Sequence, residues 1–477
     1  MKKKNYKWTF NEVLERFESI EKKLCLDKSL IQSVPWWDML RYKLFKELLV
    51  ELGCRDKKDK KIEPTIMRSV ITIILTTIHI FKNFIKFLMP RSPLWMSKRN
   101  NVILGHPRRK LEASVYVDPY TDPFIDLFPS SINFSVIERQ DFNGHLSPAK
   151  TKNLFYADSL YNFASIISKF RRLEFSQDDC LILSRLEKFL YDEFSCKVDI
   201  HKRVRKIIKK WLGMFPLMRL FFKLKKPRLL FIVVSAGQEA IIAAAKSLGI
   251  STLELQHGTP ARGKLNYDYT SGIKKMSFPD FFLSFGDYWP PDCKLPLDEE
   301  KIISFGNSYL YNKISQYSHI AKEDRLVVIS QSDLTSDLSK FAQEISKQFS
   351  KKIIIEYKPH PYEFNGPEPK YFEQLRDAGV IISDKNADIY EIFARSRWQV
   401  GVFSTALYEG LYFEVACFVL KINGSEHMKK LIELDLARPI SSPKDINLNF
   451  KVDNSKINQI FSRPSQESID FIYSLKK

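Results

Sequence analysis

Along this chain the apolar residues change their spacing at about residue 98. Up to residue 97 they recur three and four apart, as in Pro35-Trp36-Trp37-Asp38-Met39-Leu40-Arg41-Tyr42-Lys43-Leu44-Phe45, and predict amphipathic helices. From Asn101 the spacing changes to short apolar runs that stop at glycine or a polar loop, as buried parallel strands do. Asn101–His106 reads as a strand entering a loop, and Ser114–Val117 as a second strand ending at Asp118. Leu229–Ser235, the helix Glu239–Leu248 and Ser251–Leu255 form one βαβ unit by length and pattern. Phe281–Phe285 and Ile302–Phe305 are further strands closing on Gly286 and Gly306, and the polar Ser315–Glu323 is a hinge. Beyond it Arg325–Ser330, Leu338–Phe349, Lys352–Tyr357, Tyr371–Ala378, Val380–Ser383, Trp398–Phe403 and Ala416–Leu420 alternate strand and helix. The expected fold is α/β, with a helical basic region (1–97), a Rossmann-like domain (98–313), a second Rossmann-like domain (324–455) and a terminal helix (456–477).

Open α/β sheets bind ligands at the carboxyl ends of their strands. In the second domain that edge carries Ser330, then Lys358, His360 and Pro361 in Tyr357-Lys358-Pro359-His360-Pro361, then Ser404 and Thr405 where a helix opens. Hydroxyls and free backbone N–H groups at a helix start suit an anion, so these residues predict a phosphate-binding crevice. Lys-Pro-His-Pro read alone could be no more than a rigid turn. Glu409, one turn after Thr405, can reach a ribose hydroxyl or simply sit near the positive end of its helix. In the first domain the same edge carries Ser235-Ala236-Gly237-Gln238-Glu239 and Gln256-His257-Gly258, where Glu239 and His257 can exchange a proton.

Charge narrows the partners. Lys and Arg number 75 against 56 Asp and Glu, a net +19 that favours an anionic partner. The basic residues concentrate before residue 230 and interleave with apolar ones in Met67–Met89 and Val204–Lys226. The first apolar core is shorter than the roughly 20 residues of a membrane span. Both stretches therefore read either as interfacial helices on a membrane surface or as core helices with solvated basic faces. No helix-turn-helix, zinc-finger or RNP-like segment is present, so nucleic acid is not expected as a partner. Six scattered cysteines without C-x-x-C spacing suggest neither a disulfide framework nor a zinc site. The N-terminus lacks the apolar stretch of a secretory signal, and a cytoplasmic location is expected.

Gln256-His257-Gly258, Lys358-Pro359-His360-Pro361 and Ser404-Thr405 followed by Glu409-Gly410 together resemble the bacterial GT-B glycosyltransferases of capsule and lipopolysaccharide assembly. The His-Pro and Ser-Thr pair is similar to that of polysialyltransferases, Kdo transferases and CDP-glycerol glycerophosphotransferases. The likeness implies transfer from a nucleotide-sugar donor to a lipid-linked or oligosaccharide acceptor, at the inner face of the membrane, without cofactor or metal. The alternatives are a glycerol- or ribitol-phosphate transferase using the same nucleotide site, a nucleotide-sugar epimerase of related two-domain fold, and a non-catalytic assembly scaffold. It also implies that His360 contacts or protonates the leaving phosphate while Ser404 and Thr405 bind it. The chain lacks the acidic-acidic-glycine motif of the sialyltransferases, which leaves the base to be argued from placement. Asp118 and Asp122, in a proline-rich loop after a strand, compete with Glu239, although loop aspartates before proline are often only turn residues. Arg108, Arg109 and Lys110 are candidates for holding an anionic acceptor or a lipid diphosphate, with Gln256 beside them.

Overall fold

A computed structural model describes residues 8–54, 85, 88–140, 144–269, 275–290, 292–364 and 366–475. Residues 67–84 lie outside the described residues, and with them nearly all of the first basic-apolar stretch. The strands are Asn101–Leu104 (β1), Lys110–Glu112 (β2), Val115–Val117 (β3), Phe134–Glu138 (β4), Leu154–Tyr156 (β5), Leu229–Ile232 (β6), Ser251–Leu255 (β7), Phe281–Ser284 (β8) and Ile302–Ser304 (β9). Those of the second half are Arg325–Ile329 (β10), Ile354–Lys358 (β11), Ile381–Ile382 (β12), Trp398–Gly401 (β13), Ala416–Leu420 (β14) and Ala437–Ile440 (β15).

They form two parallel sheets in the order β5-β4-β1-β6-β7-β8-β9 and β12-β11-β10-β13-β14-β15. In each sheet the chain winds outward from the first strand, returns beside it and winds the other way. The order reverses between β1 and β6 in the first sheet and between β10 and β13 in the second. Each reversal leaves a crevice at the strand carboxyl ends. Two Rossmann-like domains facing each other in this way are the GT-B arrangement.

One expected strand is placed differently. Val115–Val117 pairs antiparallel with Lys110–Glu112 in a separate hairpin and not in the domain sheet. Three residues supply too few ladder bonds to distinguish the two arrangements by pattern.

The first sheet is covered on one face by the helices Phe10–Lys23, Trp36–Glu51, Asp158–Phe170, Gln177–Phe194, Ile200–Lys225 and Glu239–Lys246. Helix Ile200–Lys225 contains the second basic-apolar stretch. Its Trp211, Met214, Met218, Phe221 and Phe222 are buried in this core, which corrects the interfacial reading of its aromatic face. Leu220 and Leu224 remain exposed among the lysines. Among the described residues no helix is long and apolar enough to cross a membrane.

The other face of the first sheet is closed by Phe124, which packs on Phe231 of β6, and by Phe128, together with Ile472 of the terminal helix Gln466–Ser474. The chain therefore crosses between the halves twice. The outgoing crossing, over the expected hinge, is pinned where Lys322 Nζ donates to the carbonyls of Phe393 and Ser396 at 2.8 and 2.7 Å. The return crossing runs over Gly286 and Gly306, whose missing side chains leave room for it. A Cβ at Gly306 would lie 2.4 Å from the Ser462 carbonyl, and φ there is +103°.

Candidate active site

In β7 the carboxylate of Glu254 stands between the buried Leu253 and Leu255, and alternation turns it toward the helix-covered face, opposite Ile232 of β6. Its side chain is fully buried, and burial raises its pKa to about 7, although the Ser235 and Tyr267 hydroxyls favour the charged form. Tyr267 donates to Glu254 Oε1, and the Tyr267 hydroxyl lies 3.4 Å from His257 Nδ1. Tyr267 is held from beneath by the N-terminal helices. Arg41, fully buried, donates to the carbonyls of Leu265 and Asp268 at 2.8 Å each and pairs with Glu21 at 2.8 Å.

His257 opens the loop after β7. Burial, then the nearby His106 and Lys264, lower its pKa to about 3, so the imidazole is neutral at ordinary pH. The Val233 carbonyl also lies at the ring. A carbonyl can only accept, so one ring nitrogen carries the proton and the other presents a lone pair. The His106 ring lies 6.3 Å from His257 and 5.9 Å from Tyr120. His106 Nδ1 accepts the Arg108 N–H at 3.1 Å, so neutral His106 carries its proton on Nε2.

The facing edge repeats this device. His360 Nδ1 accepts the Tyr362 N–H at 3.2 Å, so neutral His360 is also a donor at Nε2. Its backbone N–H donates to Glu363 Oε1 at 2.6 Å, and its ring stacks on Tyr362 at 5.4 Å. Lys358 Nζ donates to the Asp384 carbonyl at 3.1 Å, and burial lowers its pKa. Exposed Pro361 starts the single turn Pro361–Phe364. Ser404 caps the helix Thr405–Leu411 by accepting from the Ala406 N–H at 3.3 Å.

The two edges meet. The Thr259 and Thr405 hydroxyls are 3.1 Å apart, the Arg108 guanidinium lies 5.8 Å from the Tyr362 ring, and Lys110 Nζ lies 4.6 Å from the Tyr390 ring. Half-buried Glu409 sits behind this contact; burial raises its pKa, while Lys110 and the Tyr390 hydroxyl favour its charged form. His106, Arg108 and His257 thus share one crevice with His360 and Thr405.

Several expected residues turn away from it. Asp118 and Asp122 are buried. Asp118 Oδ1 accepts the N–H groups of Tyr120 and Thr121 at 2.9 and 3.2 Å, while Asp122 accepts the Asp118 N–H at 2.7 Å and the Thr151 hydroxyl at 2.6 Å. They shape the loop, and both carboxylates are buried within it. Burial also raises the Asp118 pKa to about 6. Glu239 folds back to accept the Gly237 N–H at 2.8 Å. Arg109 is buried against Glu138 at 2.9 Å, with Asp122 at 3.7 Å, and is committed to that pairing. Gln256 spans Gly258 and Phe285 with its amide, at 2.9 and 2.7 Å, and so braces the loop. Ser330, also buried, accepts from the Tyr357 hydroxyl at 2.8 Å. Sequence reasoning missed Glu254, Tyr267, His106, Thr259 and Tyr362; only Glu254, a carboxylate between two strand leucines, carried a signal.

No protein-family model and no curated protein matches the chain. Among solved structures it is similar to the UDP-GlcNAc 2-epimerase of Methanocaldococcus jannaschii, at 10% identity over 79% of this chain and 99% of the other, with a TM-score of 0.43. The UDP-GlcNAc 2-epimerase of Neisseria meningitidis bound to UDP-GlcNAc is 9% identical over 80% and 94%, with a TM-score of 0.44. The wall teichoic acid polymerase TagF is 12% identical over 85% and 93%, with a TM-score of 0.40. At these identities and scores the likeness has no bearing on activity.

Proposed function

We propose that this protein is a glycosyltransferase that moves a sugar from a nucleotide-activated donor to a lipid-linked surface glycan. The observation that carries the reading is the set of imidazoles lining one crevice: His257 neutral with a lone pair, His106 and His360 fixed as Nε2–H donors. In the proposed step the acceptor oxygen bonds to the anomeric carbon while the bond from that carbon to the phosphate oxygen breaks. The phosphate keeps the electron pair, and the acceptor proton passes to His257. His360 donates to the leaving phosphate, with Thr405 and Lys358 beside it, and Glu409 stands near enough to take a ribose hydroxyl. Burial is the main cause of the low His257 pKa, and a bound phosphate offsets only the smaller contribution of nearby cations such as Lys264 and Arg108. Asp118 and Glu239 would become bases only if an open conformation released them.

Transfer of a glycerol- or ribitol-phosphate group from a CDP donor is the second reading. It is favoured by the carboxylate candidates being withdrawn while imidazoles remain at the crevice. The test is thermal unfolding of the full chain with CMP, CDP, UDP, GDP or ADP, repeated with His360→Ala. A ligand of the native state raises Tm by mass action. CMP or a hexose nucleotide stabilising the wild type but not the variant supports the first reading, and CDP alone supports the second. No response to any nucleotide refutes both. Contact with an anionic membrane surface belongs to the proposal through exposed Leu220 and Leu224 beside Arg219 and Lys223. Failure to co-sediment with anionic vesicles at low salt would remove that part.

A further inference from the structure

A second concavity, about 280 Å³ in volume, opens beside the crevice at the carboxyl ends of β1, β4 and β6. The nucleotide reading makes no use of it. Its floor is apolar, formed by Leu104, Ile137 and Met218 among others, and its polar positions include His106, Arg139, Tyr161 and Gln238. The Tyr161 hydroxyl donates to Gln238 Oε1 at 2.5 Å, fixing both side chains at the edge. The exposed Arg139 guanidinium stacks 4.3 Å over the Tyr161 ring and has no ion-pair partner among the described residues. A cation held by stacking, with its donors left for a ligand, is a fork for a carboxylate. Just below the ~300–1,000 Å³ range of small-molecule sites, the space suits one ring and not an extended chain.

We infer that this cavity binds a carboxylate-bearing pyranose, its C–H face on the apolar floor, its hydroxyls on His106 and Gln238, and its carboxylate on Arg139. The inference deepens the glycosyltransferase reading and rests on it, because His106 also borders the crevice and a sugar held here lies beside His257. The acceptor glycan then ends in an acidic sugar.

The test uses the full chain and saturation-transfer NMR with D-glucuronate and D-glucose as probes. Glucuronate should give a saturable signal, glucose a far weaker one, and Arg139→Ala should weaken glucuronate binding roughly tenfold, as loss of a charge-assisted hydrogen bond does. Arg139 is exposed, so the variant is expected to fold, and its circular dichroism checks this. Equal signals from the two sugars, no signal from glucuronate, or undiminished binding by the variant would each overturn the inference. Nucleotide-induced stabilisation of the unaltered chain separates the two levels of argument. Stabilisation without glucuronate binding defeats only the acidic-sugar site, whereas glucuronate binding without any nucleotide response defeats the transferase reading.

Discussion

Glu254→Gln is the perturbation whose size follows most directly from the structure. Burial holds the Glu254 pKa at about 7, against an ordinary 4.5 that the unfolded chain should show. Between these values the native state keeps a proton that the unfolded state has released, so stability falls as pH rises. At about 1.4 kcal/mol per pH unit the full cost of charging Glu254 is about 3 kcal/mol, most of it incurred between pH 5 and 8. Glutamine has nearly the same shape and can still accept from Tyr267, yet it never ionises. The assay is urea unfolding of both proteins at pH 5, 6, 7 and 8, followed by tryptophan fluorescence. The variant should be close to the wild type at pH 5 and more stable than it by about 2–3 kcal/mol at pH 8. Asp118, whose pKa of about 6 produces a similar slope, is common to both proteins and drops out of the difference. Parallel pH profiles would show that Glu254 is not the buried acid described here.

Arg41→Ala removes one partner of a buried pair and leaves Glu21 behind, so denaturation midpoints should report a loss of about 3–5 kcal/mol, with Leu265–Asp268 exposed to amide exchange; a loss under about 1 kcal/mol would count against the role given to the N-terminal helices. Gly306→Ala places a Cβ against the Ser462 carbonyl at a positive φ, and limited proteolysis should then cut the terminal segment faster than in the wild type. His145 has Glu138 Oε1 at 3.1 Å and Asp158 Oδ2 at 2.6 Å; its hydrogen bonds to these carboxylates outweigh the effect of burial and raise its pKa from 6.5 to about 9. That stabilisation is complete below pH 6.5 and is lost as pH rises through 9, so His145→Asn should be less stable than the wild type at pH 6 and nearly equal to it at pH 10.

The central strands of both sheets were legible because a buried parallel strand must be apolar on both faces, which leaves runs such as Leu229–Ile232 and Leu326–Ile329 unmistakable. Phe134–Glu138 and Leu154–Tyr156 escaped notice because Glu138 closes the first and the second has only three residues. The His-Pro loop was placed correctly at a strand end. For Arg109 and for the aromatic face of helix Ile200–Lys225 the decisive partner lies far away in the chain, whereas Asp118 and Glu239 are engaged by backbone N–H groups two or three residues away, a local fold-back that residue type alone does not reveal. Arg109 reads as a free cation until Glu138 is found beside it, 29 residues on. In the same way the aromatic residues of helix Ile200–Lys225 suit lipid as well as protein until Trp36–Glu51 and Asp158–Phe170 are seen covering them. Burial of a charge is a property of tertiary contacts, and the local pattern around Arg109 carries no record of it.

The double crossing between the halves constrains how they can move. A single linker would let the second domain swivel and slide; two strands of chain at separate points leave rotation about the line joining them as the soft motion. The Lys322 anchor and the Gly286–Gly306 track fix the ends of that line in the two halves. The crevice can then open by rotation while its facing edges keep their register. Thr259 should meet Thr405, and Arg108 should meet Tyr362, at the end of every closure.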